Sequence, residues 1–121
     1  MDRIATFKSF IARTPEDPFP RYGLAMEYKG RGELDQAWTC FAELLEKFPD
    51  YVATYLMAGG TLAALGRTDE AAEVYRRGVA AATRKGDSHA RSELETALAE
   101  LPMAATISGG GVAVKPEQRI R

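Results

Sequence analysis

Several residues in this 121-residue chain could, by type and spacing, do chemistry. The stretch GGTLAALGRTDEAAEVY at 59–75 and SGGGVAV at 108–114 are glycine-rich, as phosphate cradles are. A phosphate loop, however, closes on a GK[ST] triplet and joins a strand to a helix. Neither stretch does so. His89 is the single histidine and Cys40 the single cysteine, so a His/Cys or paired-His metal site has no ligand set. Cys40 lies between Thr39 and Phe41 on a predicted helix with no CxxC partner, which reads as a buried structural thiol rather than a nucleophile. Glu43, Glu46, Glu70 and Glu73 fall on helix faces that should be solvated, and paired-carboxylate catalysis would need a pocket around them. The reading is no catalytic residue, no metal, no cofactor and no enzyme.

The totals narrow the class. Sixteen basic and 17 acidic residues leave a net charge of -1, without the basic excess that attracts nucleic acid or anionic membrane. A lone cysteine fits a reducing compartment, and no apolar run approaches the roughly 18 residues of a membrane span. Asp2 and the interrupted apolar pattern of MDRIATFKSFIARTP argue against a secretory signal. A soluble cytoplasmic protein is expected.

What must position any site is a repeat. At an offset of 34, Gly32 falls on Gly66, Ala37 on Ala71, Phe41 on Tyr75 and Tyr22 on Leu56, while backwards Phe41 falls on Phe7 and Pro49 on Pro15. The repeating unit is a pair of helices. Asp17-Pro18 forms a cap with proline in the first turn, and Leu24, Ala25 and Tyr28 follow at helical spacing until Gly30-Arg31-Gly32. Leu34, Ala37, Phe41, Leu44, Leu45 and Phe48 share one face of a second helix that stops before Pro49. Asp50 is expected to cap the next helix, Gly66 to end it in a left-handed turn and Thr68 to cap the one after. Arg84 and Lys85 suit that helix's C-terminal dipole, Gly86 stops it, and a last helix carries Ala90, Leu94, Ala97, Leu98 and Leu101. No segment alternates with period two, so no sheet is expected.

Helical pairs with this period resemble the tetratricopeptide repeat, whose signature is W-x2-L-G-x2-Y, then A-x3-F, then P. Leu24, Tyr28, Ala37, Phe41 and Pro49 match it in the first copy, and Gly59, Ala71 and Tyr75 in the second. Arg21 replaces the aromatic, Ala25 the glycine and Thr83 the second proline. The resemblance implies an all-α superhelix of antiparallel hairpins, about five helices plus a tail. Its parts are a half-repeat at 1–16, units at 17–50 and 51–85, a cap at 86–102 and a flexible or docking tail at 103–121. Small residues at the signature positions let paired helices approach, and aromatics fill the gaps.

The resemblance also implies where binding would occur. In such proteins the first helix of each unit lines a concave groove that takes an extended peptide or a helix. The corresponding positions are Phe19, Tyr22, Met26 and Lys29, then Ala53, Leu56, Gly60 and Ala63. This lining is small and apolar, with Lys29 alone able to hold a carboxylate, so an apolar peptide or helix of another protein is the expected partner. The alternative is an assembly-supporting subunit that dimerises through the half-repeat residues Ile4, Phe7, Phe10 and Ile11. These also oppose Arg3, Lys8 and Arg13, a pattern that a membrane-surface helix would share, but the in-register Phe7, Phe10 and Pro15 favour packing. His89, Ser92, Glu93 and Thr96 occupy signature slots of a third copy, as a polar terminal cap would.

Overall fold

The computed structural model describes residues 2–102. Among them lie six helices and no strand: α1 (Arg3–Arg13), α2 (Pro18–Gly30), α3 (Leu34–Lys47), α4 (Ala53–Ala64), α5 (Thr68–Lys85) and α6 (Ser88–Ala99). The all-α expectation holds, with six helices rather than about five. The expected tail lies outside the described residues.

Local chemistry explains most of the boundaries. The Asp17 carboxylate accepts a hydrogen bond from the Phe19 N–H at 3.0 Å, ahead of Pro18 in the first turn. Asp87 caps α6 through the Ala90 N–H at 3.0 Å. Two expected caps do not form. Asp50 lies three residues ahead of α4 and instead accepts from Arg84 at 3.3 Å, while Val52 precedes α4 with no side-chain cap. Thr68 is already the first residue of α5, and Arg67 ahead of it grips Glu70 at 2.6 Å.

The 34-residue period is visible in the backbone. Gly32 and Gly66 turn the chain with φ of +77° and +79°, a conformation glycine adopts without steric cost. The Glu33 N–H donates to the Tyr28 carbonyl and the Arg67 N–H to the Leu62 carbonyl, both at 2.9 Å. Helices α1 and α3 also end alike, with Thr14 at φ -132°, ψ 66° and Phe48 at φ -134°, ψ 65°. So α1 is a second-type helix of the repeat, one period ahead of α3.

The period breaks once. Pro49 follows the end of α3, but Thr83 stands at the corresponding place in α5, which therefore continues to Lys85 before Gly86 stops it. The longer α5 carries α6 two residues out of step. Buried Leu94 in α6 thus plays the part of Leu24 and Ala58, and Leu98 that of Tyr28 and Leu62. His89, Ser92, Glu93 and Thr96 do not occupy the signature positions.

Each helix packs on its neighbours in sequence, and α4 also meets α6. Phe41, Leu44, Leu62 and Leu94 are buried at the centre, with Ala25, Ala37 and Ala58 keeping the backbones close. The closest approach is at Gly59, where a Cβ atom would collide with the ring of Tyr75. Gly23 receives the ring of Phe7 in the same manner.

Candidate partner-binding surface

The first helices of the units, α2, α4 and α6, form one wall, and two hollows open along it. The first, of about 640 Å³, lies between α1 and α2. Its floor is Phe7, Phe19, Tyr22, Gly23 and Met26, and its rim is Arg3, Glu27 and Arg31. The second, of about 280 Å³, spans α2, α4 and α6 over Tyr22, Ala53, Leu56, Met57, Ala90 and Leu94, with Asp87, His89 and Glu93 at its edge. A shallower continuation of about 330 Å³ runs along α6 past Ser92, Thr96 and Glu100.

The expected groove residues are therefore divided. Phe19 and Met26 line the first hollow, Ala53 and Leu56 the second, and Tyr22 contributes to both. Lys29, Gly60 and Ala63 line neither of these hollows. A Cβ at Gly60 would meet only the Tyr75 hydroxyl at an ordinary 3.8 Å, so that glycine opens no special space. Sequence reasoning omitted the contribution of α6, above all Ala90 and Glu93. The signal was Thr83: without a proline there, the longer α5 brings those residues round to the inner wall.

Rings position the shared side chain. Tyr22 packs edge-on against Phe41 at 6.3 Å between centroids and against Tyr51 at 5.8 Å. Burial, followed by the nearby Tyr51, pushes the Tyr22 phenol above its ordinary range. At the rim of the first hollow, Arg31 reaches Asp2 at 2.9 Å and Glu27 at 3.0 Å, while Arg3 reaches Glu27 at 3.3 Å. These hydrogen bonds, first those from Arg31, hold both carboxyls below their usual range. With Asp2, which pairs with Arg31 from just outside the hollow, two cations face two anions and the side-chain charges at the rim are matched.

The α1 residues expected to self-associate do not share one exposure. Ile4, Phe7 and Ile11 turn inward onto the core, whereas Phe10 remains 42% exposed beneath the Arg13 guanidinium at 4.9 Å. Phe19, at 62%, is the other large exposed apolar side chain among the described residues. Cys40 is half-buried, and burial, then Glu43, raises its thiol, which disfavours the reactive thiolate. His89 is exposed beside Glu93 at 3.6 Å. No described helix is long and apolar enough to cross a membrane.

Stacked helical pairs with a 34-residue step, small residues at the crossings and an inner wall of first helices define an α-solenoid. The tetratricopeptide repeat model matches residues 22–87, more than half of the chain, and the chain belongs to that family. It is 26% identical over 103 residues to a TPR repeat-containing protein of Pseudomonas aeruginosa, covering 85% of this chain and 98% of that one. Among solved structures it is similar to a tetratricopeptide repeat domain protein from Salinibacter ruber, at 41% identity and a TM-score of 0.68 over 71% of this chain and 87% of that one. A Bordetella parapertussis protein, 21% identical, shares the fold with a TM-score of 0.73 over 94% of this chain and 99% of its own.

Proposed function

We propose that this chain is a non-catalytic, cytoplasmic interaction module that receives an apolar peptide or helix of another protein in the hollow formed by α2, α4 and α6. The observation that carries the reading is the convergence of Tyr22, Ala53, Leu56 and Ala90, from three helices, on one concave apolar floor with a polar edge. Such a floor gives affinity through burial of apolar surface, and the edge gives orientation. Leu56→Glu places a charge at the centre of that floor. Pull-down from the native cytosol should lose the partner with this variant, and unchanged capture would remove the reading.

A second reading, dimerisation through α1, has one observation in its favour: the exposure of Phe10. Its test is the mass in light scattering at tens of micromolar protein, where a monomer would exclude it.

A further inference from the structure

The hollow between α1 and α2 has a definite shape because the same chain builds it again, one period later, with a helix in it. Phe7, Phe41 and Tyr75 are one position of the repeat, and α1, α3 and α5 are the helices that carry it. On α3 the neighbouring first helix is α2, which brings Tyr22 edge-on to Phe41 at 6.3 Å. On α5 it is α4, which brings Gly59 against the ring of Tyr75. On α1 the first-type helix beside Phe7 is the following one, α2, whose Gly23 meets one side of the ring. Among the described residues none covers the other side, and there the surface opens into about 640 Å³ over Phe7, Phe19, Gly23 and Met26.

We infer that this hollow is a second, separate binding seat, and that its occupant is a single amphipathic helix of a partner protein, completing the half-repeat in trans. The two filled seats specify the occupant. Helices α2 and α4 are 13 and 12 residues long, and they press inward at every fourth residue: Pro20, Leu24 and Tyr28 in one, Thr54, Ala58 and Leu62 in the other. An aromatic placed as Tyr22 is would meet Phe7 as Tyr22 meets Phe41. Arg3 stands where Ala37 stands one period on, but Glu27 draws its guanidinium aside at 3.3 Å and the seat stays open. With Asp2 and Glu27 already matched to Arg31 and Arg3, the occupant's inner face needs no charge. Phe19, 62% exposed in this floor, gains cover when the helix docks.

The chain's own α2 sequence supplies the probe. A capped peptide of residues 17–31 is titrated into the full-length ¹⁵N-labelled protein. The expected result is saturable shifts of the Phe7, Gly23 and Gly30 amides at one peptide per chain. Phe19→Glu in the protein should weaken binding about tenfold or more, as loss of a central apolar anchor does. Leu56→Glu should leave the peptide's affinity unchanged, and Leu24→Glu in the peptide should abolish binding. Shifts centred instead on Ala53, Leu56 and Ala90, or indifference to Phe19→Glu, would overturn the inference. So would no binding at millimolar peptide, or a dimer in sedimentation that Phe19→Glu dissociates, which would assign the hollow to a second copy. Because Leu56 belongs to the other hollow, failure here leaves the proposed function untouched, and the reverse also holds.

Discussion

The two outermost helices of the described array carry unlike open sides. Beside α1 the surface is apolar, with the Phe7 ring as a floor and Phe19 projecting at its edge. On α6 the corresponding outer face is charged. Allowing for the two-residue shift, Arg91 and Glu95 stand where Tyr55 and Gly59 stand in α4, and they pair with each other at 3.7 Å. At Gly59 even a methyl group would strike the ring of the following helix. A glutamate at that position disfavours so close an approach, so the outer face of α6 is charged where that beside α1 is apolar. Terminal repeats carry a polar outer face, and among the described residues α6 has one and α1 does not.

The largest test of that contrast uses one repeat position in two settings. Phe41→Ala, in a filled seat, should cost about 3–5 kcal/mol in urea denaturation, as deletion of a fully buried aromatic does. Phe7→Ala, with one side open, should cost roughly 1–2 kcal/mol, since less buried surface and a smaller cavity are involved. Equal losses would mean that the two seats are equally closed. Next, Leu56→Glu and Phe19→Glu should each abolish or weaken a different interaction. In the same assay Phe19→Glu, at an exposed site, should change stability by only about 0.5 kcal/mol, and Leu56→Glu, half-buried against the core, should cost roughly 1–2 kcal/mol. If one variant removed both interactions, the two hollows would be a single site.

A third substitution works on the charged side. Replacing Arg91 and Glu95 together by alanine removes the cap, and sedimentation should then show weak concentration-dependent association absent from the parent. A mass unchanged from the parent's would mean that charge is not what keeps the outer face of α6 from associating. The smallest effect is one of pH. Asp2 and Glu27 have carboxyls lowered in the folded chain, so their contribution is present above the ordinary carboxylate range and is lost as pH falls through the lowered values. Protection factors of the α1 amides, which correct for the slower intrinsic exchange in acid, should therefore fall modestly as pH drops, and Arg31→Ala should remove most of that dependence. Asp2 is exposed and Glu27 is covered chiefly by its own arginine partners, so solvent screening keeps the effect small.

The sequence made the repeat legible because its cues are local. Asp17-Pro18 caps as read, and Gly32, Gly66 and Gly86 take the left-handed turns. Gly59 is the close approach that its signature position demands. Asp50 and Thr68 misled because a capping residue type says nothing about where the helix axis begins: Asp50 is drawn to Arg84, a tertiary partner, and the local turn through Gly66 starts α5 one residue early, at Thr68 itself. The site was legible as a face but not as neighbourhoods. Spacing put Phe19, Met26, Ala53 and Leu56 on inner faces, whereas only the packing of α1 and the longer α5 decides which of them share a hollow.

One feature of the packing bears on how the molecule assembles. Since each helix leans on the helix before and after it, nearly every stabilising contact closes a short loop, and short loops cost little entropy to form. Order can begin in the middle and spread outward, helix by helix. Helix α1, which rests on α2 alone to any extent, is then the last to join and the first to leave. A helix docked between the two would be bound to both, so its arrival would lengthen the lifetime of α1 far more than that of α4 or α5.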